Sequence, residues 1–373
     1  MAFAEIAESF FKPAVQDLVP YEPGKPVEEV QRELGLERVV KLASNEGPLG
    51  PFPEAREALA RGVEELNRYP DGGSWRLRTA LAELHDVRFE EIAPGAGSDG
   101  VVDYLSQLAL DPGDEIVCGW PSFPSYVIDA LKIGAVPTRV PLRDHRYDLD
   151  AMLGEIGPRT KLVYVCHPNN PTGTMSSRAE LDAFLDAVPG HVLTVLDQAY
   201  AEYIDDPDYV DGVEYLKAGR KIVVLRTFSK IYGLAGLRVG YAIGPEAVVT
   251  AIAKVRRAFD VSSFAQIAAL ASLDSPEELA RRRQVNAEGL VQLERIMREH
   301  DLDPPRSVAN FLFAEVGDDS RPLFEQLLRE GVIVRPAGGF GAPGAIRVTV
   351  GTPEENEVFG EALGRVLSAA ARP

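Results

Sequence analysis

The chain has 373 residues carrying 57 Asp and Glu against 39 Lys and Arg, a formal net charge of -18. That balance excludes a partner held by a broadly basic surface, whether nucleic acid or an anionic membrane. At roughly 150 residues per domain the length predicts two or three domains, with a core large enough to stand without disulfide or metal staples.

The N-terminal MAFAEIAESFFKPAVQDL carries acids and lacks the basic start and long apolar run of a signal peptide, so a cytoplasmic location is expected. Cys118 and Cys166 sit at the ends of apolar runs with neither a disulfide-framework count nor metal spacing. They read as buried, unreactive thiols, and no metal site is expected. Residues 1–48, with YEPGKP and a VVKLAS strand, are expected to form an N-terminal arm joining a smaller domain.

Between Glu91 and Gly244 lie seven β-branched runs, EIAPG, EIVCG, VPTRVPL, KLVYV, HVLTVLD, KIVVLRTF and RVGYAIG, most of them separated by stretches of helical periodicity. The alternation predicts an α/β layer over residues 49–265, with a mainly parallel seven-stranded sheet covered by helices on both faces. Ser177 followed three residues later by Glu180 is a capping box ahead of LDAFLDAV. In such a sheet the ligand lies outside the carboxyl ends of the strands.

Residues 266–373 read as a smaller α+β domain. A charged helix over Ser275–His300 leads to strand runs NFLFAEV, GVIVRP and IRVTVG, interrupted by helical FEQLLREG and closed by PEENEVFGEALGRVLSAA. The basic triplet Arg281 to Arg283 is expected to be a solvated helix face.

Gly95, Gly97 and Gly100 in PGAGSDG satisfy the G-x-G-x-x-G spacing between a strand and a helix. The following strand has no acid at its end to hold a ribose hydroxyl, which counts against a nicotinamide site. What remains is either a tight turn or a helix start at Ser98, Asp99 and Gly100 whose amides and dipole suit a phosphate. Asn170 follows the run KLVYV, Asp197 ends HVLTVLD, and Lys230 follows KIVVLRTF, with Arg238 in the glycine-punctuated segment after it. Singly these have plain readings: a helix cap for the acid, a solvent-reaching lysine. Together they put a phosphate loop, an amide, an acid and a desolvated amine at four strand ends, and one cofactor fits all four.

The segments YEPGKP, LASNEGPLGPFP, RYPDG, GAGSD, HPNNPTG, LDQAY, RTFSKIYGLAGLRVGY, NFLFAEV, GVIVRP and IRVTVGTPEEN, in this order, resemble the histidinol-phosphate aminotransferase family. That family lies within the fold type I pyridoxal-phosphate enzymes of the aspartate aminotransferase superfamily. The resemblance implies that Lys230 forms the internal aldimine with pyridoxal 5'-phosphate and carries the proton during transfer. It implies that Asp197 pairs with the ring nitrogen, that Asn170 and Tyr200 bind the ring's phenolic oxygen, and that Phe123 stacks on the ring. The phosphate would be held by Ser98, Asp99, Ser229, Arg238 and, from a second subunit of a homodimer, Tyr69. Arg347 would bind the acid group of the substrate, with Tyr21 and Asn45 lining the same side. The chain departs from the family pattern at Gln198, Phe123 and Gly100. The implied reaction is a ping-pong amino transfer between histidinol phosphate and 2-oxoglutarate. Alternatives are an aromatic amino acid such as phenylalanine as substrate, a threonine-phosphate decarboxylase, or a nicotinamide-dependent oxidoreductase.

Overall fold

A computed structural model describes residues 10–16, 18–19 and 24–370. Among these residues twelve strands are formed: β1 (Val40–Lys41), β2 (Ile92–Gly95), β3 (Glu115–Trp120), β4 (Val136–Pro141), β5 (Thr160–Cys166), β6 (Leu193–Asp197), β7 (Ile222–Thr227), β8 (Gly240–Ile243), β9 (Phe311–Glu315), β10 (Val332–Ile333), β11 (Arg335–Pro336) and β12 (Ala345–Thr349). The seven apolar runs become one seven-stranded sheet in the order β2-β8-β7-β6-β5-β3-β4. β3 to β7 run parallel, and β8 is antiparallel to both of its neighbours.

Every residue of β6 and β7 is buried, as strands covered by helices on both faces must be. The register sets Cys166, Asp197 and Leu225 side by side, so the segments that follow β5, β6 and β7 all leave the sheet at one edge. The helix Arg178–Ala187 opens with the predicted capping box, in which the Ser177 and Glu180 side chains satisfy each other's backbone amides.

A three-stranded antiparallel sheet, β11-β12-β9, packs with the helices Pro276–Glu299 and Pro353–Ala370. Leu293, Ile296, Met297, Phe359 and Leu363 form its apolar core with Val40 and Leu42. The single predicted strand GVIVRP divides in two. β10 pairs parallel with β1, whereas β11 pairs with β12 and sets Arg335 directly opposite Arg347.

The expectation of a solvated basic face at Arg281–Arg283 is wrong. Consecutive helical residues point about 100° apart, so the triplet cannot share one face. Arg281 is exposed and pairs with Glu278, but Arg282 is only 5% exposed. Its guanidinium lies 4.3 Å from the centre of the Phe52 ring and donates to the carbonyls of Gly50 and Ile231. Arg283 Nε donates to the Glu202 carbonyl at 2.8 Å. The long helix is thereby fastened to three segments, around Gly50, Glu202 and Ile231.

Candidate active site

At the carboxyl edge of the sheet lies a cavity of about 370 Å³. Lys230, Asp197, Tyr200, Asn170, Ser98, Asp99, Phe123, Ser229, Arg238, Arg347 and Asn45 all line it. Of the remaining two residues singled out from the sequence, Tyr21 lies outside the described residues, and Tyr69 is not among the lining residues of its own chain. Tyr69 is 81% exposed and stacks on Phe259 with ring centres 4.6 Å apart.

One end of the cavity is shaped for a phosphate. β2 runs straight into the helix Gly97–Ala109, whose first-turn residues Ser98 and Asp99 line the cavity, so the positive end of the helix dipole lies at this end. Gly97 has φ +81°, and a Cβ there would fall 2.8 Å from the Arg238 guanidinium. A Cβ on Gly240 would fall 2.3 Å from the Ser98 nitrogen, so this cradle can be built only on glycine at both positions. Arg238 reaches towards Ser229 Oγ at 3.5 Å. Thr227 fixes that serine: its Oγ1 donates to Ser229 Oγ at 3.0 Å and accepts from the Ser229 amide at 3.1 Å.

At the centre, the Asp197 carboxylate accepts from Tyr126 Oη at 2.6 Å and from the Ala199 amide at 3.1 Å. Burial raises its pKa, against those two donors and the charge of Lys230. An anion this buried is stabilised by a cationic partner, and a protonated ring nitrogen is one. Lys230 is half-buried beside the Tyr200 ring, its Nζ 5.5 Å from the ring centre. Burial first, then the charges of Arg347 and Arg238, push its amine down to about 8, opposed by Glu46 and Asp197. The amine is therefore far more available as a nucleophile and proton carrier in mildly alkaline solution than an ordinary lysine.

The third side belongs to the smaller sheet. Arg347 donates to Asn170 Oδ1 and, at 2.7 Å, to the Ala43 carbonyl. The first contact commits the amide oxygen of Asn170 and leaves its Nδ2 as the donor for a ligand. Asn45 Nδ2 donates to Tyr200 Oη at 2.8 Å. Phe340 lies between two cations, 5.4 Å from Arg335 and 4.9 Å from Arg347.

Sequence reasoning missed Tyr126, Thr227, Arg335 and Phe340. Only Arg335 carried a signal: like Arg347, it is a cation set in an apolar β-run. Gln198 has a structural account. It is fully buried, its Nε2 donates to the Val210 carbonyl at 2.7 Å, and its Oε1 accepts from the Gly212 amide at 2.9 Å. A carboxylate could make only the second of these bonds. Gln198 therefore fastens a loop and faces away from the cavity. Cys118 and Cys166 are free and buried, and burial pushes the Cys118 thiol up to about 12 and the Cys166 thiol higher still.

Phosphate cradle, buried acid and depressed lysine at the edge of this sheet define a pyridoxal-phosphate-dependent transferase. A model of aminotransferase class I and II matches residues 37–363. The chain is 45% identical over 356 residues to histidinol-phosphate aminotransferase of Moorella thermoacetica, covering 95% of this chain and 92% of that one. It is 45% identical to histidinol-phosphate aminotransferase 2 of Pseudomonas aeruginosa, covering 96% and 97%. The crystal structure of histidinol-phosphate aminotransferase from Sinorhizobium meliloti in complex with pyridoxal-5'-phosphate matches with a TM-score of 0.91 at 29% identity, covering 98% and 99%. Aspartate aminotransferase from Thermus thermophilus with maleate matches with a TM-score of 0.84 at 25% identity, covering 95% and 99%. The chain belongs to the class I and II aminotransferases and, within them, to the histidinol-phosphate aminotransferase family.

Proposed function

We propose that the enzyme moves the amino group of histidinol phosphate to 2-oxoglutarate, giving imidazole acetol phosphate and glutamate in two half-reactions at one site. The observation that carries this substrate choice is the pair Arg335 and Arg347, opposed across β11 and β12 and both lining the cavity. A phosphate monoester carries up to two negative charges, and two planar guanidinium groups match them better than one. A donor with a single carboxylate and no other anion, such as phenylalanine, needs only one such fork.

Pyridoxal 5'-phosphate, when bound, supplies the ring that takes up the electrons of the substrate carbon. The chain's own groups do the rest. Ser98, Asp99, Ser229 and Arg238 hold the phosphate end, Asp197 holds the positive charge at the ring nitrogen, and Phe123 covers the ring. Asn170 Nδ2 and Tyr200 Oη hold the phenolic oxygen. Lys230 Nζ anchors the group and then carries the proton to and from the substrate carbon. Arg347 seats the substrate's acid group, with Asn45 beside it and Tyr21 assigned to the same side.

We propose further that the enzyme is a cytoplasmic homodimer in which Tyr69 of each chain serves the phosphate site of the other. The exposed apolar side chains Val63, Leu66, Tyr69, Trp75 and Phe259 support this reading, because monomers rarely leave such groups together in water. The proposed division of the chain is an arm at 1–48, a cofactor-binding domain at 49–265 and a smaller domain at 266–373.

The substrate assignment is tested by the variant Arg335→Met. KM for histidinol phosphate should rise by about 10-fold or more for loss of a charge-assisted hydrogen bond, while KM for the monocarboxylate donor phenylalanine moves less. An unchanged KM for histidinol phosphate would remove Arg335 from the substrate site.

A further inference from the structure

A buried chain of hydrogen bonds runs from the smaller sheet to Tyr200. The Asn45 amide donates to Thr349 Oγ1 at 2.9 Å, and Thr349 Oγ1 donates to Asn45 Oδ1 at 3.1 Å. Asn45 Nδ2 then donates to Tyr200 Oη at 2.8 Å, and the Asn45 carbonyl accepts from Asn310 Nδ2 at 3.1 Å. All four residues are buried, and Asn45 is held at φ +55°, where a side chain other than glycine needs such support.

The direction of this chain follows from where Thr349 spends its one hydrogen. Its oxygen takes the Asn45 backbone amide and its hydrogen goes to Asn45 Oδ1, which turns Nδ2 towards Tyr200. Tyr200 Oη accepts that bond, so its own hydrogen is free to be donated into the cavity. With the Asn45 amide reversed, Tyr200 would spend its hydrogen on Asn45 instead.

We propose that Thr349 is a positioning residue: through Asn45 it directs the Tyr200 hydroxyl hydrogen towards the cofactor's phenolic oxygen. Thr349 lies two residues from Arg347 on β12, and Arg347 orients Asn170 in the same way, by taking its amide oxygen. One strand thus sets the donor direction of both groups that face the phenolic oxygen.

The inference rests on the proposed contact between Tyr200 and that oxygen, and the test separates the two. A hydrogen bond donated to the deprotonated form of a group lowers its pKa. The pH midpoint of the visible absorption of the cofactor-loaded enzyme is the readout, with no turnover needed. Tyr200→Phe should raise that midpoint by about one unit, Thr349→Val should raise it in the same direction by a smaller amount, and Thr349→Ser should stay at the wild-type value. Thr349→Ala, which removes the hydroxyl without adding bulk, should match Thr349→Val and provides the result if the valine variant does not fold. A shifted Tyr200→Phe with unshifted Thr349→Val or Thr349→Ala overturns the role of Thr349. An unshifted Tyr200→Phe overturns the Tyr200 contact itself.

Discussion

Asp197, Asn170 and Lys230 all leave the carboxyl edge of one buried sheet, whereas Arg335, Arg347 and Phe340 come from β11, β12 and the turn between them, and Asn45 from a loop near the start of the chain. The first group is held by backbone register: Cys166, Asp197 and Leu225 stand in one row, and the loops beyond them have little freedom of direction. The second group is held by side-chain bonds to the first, Arg347 to Asn170 and Asn45 to Tyr200. In the proposed mechanism the chemistry sits on the first group and substrate recognition on the second, which reaches across. Damage to the two halves should separate into losses of kcat and rises in KM.

The sharpest break is Lys230→Ala. In the proposed mechanism it removes both the anchoring amine and the proton carrier, and kcat should fall by about 10⁴-fold in a steady-state assay with excess cofactor. Next comes Asp197→Ala, which on the same reading leaves the ring nitrogen without its anion. A fall in kcat on the order of 10²–10³-fold is expected, with KM for glutamate nearly constant, in the same assay. On the other half, Arg347→Lys keeps the charge and loses the planar fork. KM for the acid substrate should rise about 10-fold or more while kcat changes least, which initial-rate kinetics measures directly.

The depressed lysine gives a pH prediction of smaller size. The amine is lowered to about 8, so it is neutral and reactive above that pH and protonated below it. The rate at which cofactor-free enzyme captures pyridoxal phosphate, followed by absorbance, should rise with pH and level off above about 8. Below that pH it should fall about tenfold per unit. The smallest effect lies outside both halves. Gln198→Ala strands the Val210 carbonyl and the Gly212 amide, costing about 1–3 kcal/mol in a denaturant titration, with kcat per folded molecule unchanged.

The same contrast explains what could be read from the amino-acid order. The seven strands were legible because a sheet buried on both faces demands near-continuous apolar runs, and the residues that end those runs are neighbours in space by register alone. Lys230, Asp197 and Asn170 follow from that pattern, as does the glycine cradle at Gly97. The direction of β8 was not legible, since an antiparallel strand buried on both faces is as apolar as a parallel one. Nor was the break between β10 and β11, which depends on two separate partners, β1 and β12. Tyr126 acts on Asp197 through one hydrogen bond and Thr227 on Ser229 through two, and no spacing encodes them. Arg282 was misread because its partners, the carbonyls of Gly50 and Ile231, lie far away in the chain.

The most direct test of substrate and chemistry together is a single half-reaction on the cofactor-loaded enzyme, followed by loss of its visible absorption in stopped flow. Histidinol phosphate, phenylalanine and threonine phosphate are compared as amino donors, with carbon dioxide release monitored in parallel. Histidinol phosphate should bleach the band with the highest apparent second-order rate constant and without carbon dioxide release. A higher constant for phenylalanine, or carbon dioxide release from threonine phosphate at a comparable rate, would contradict the assignment.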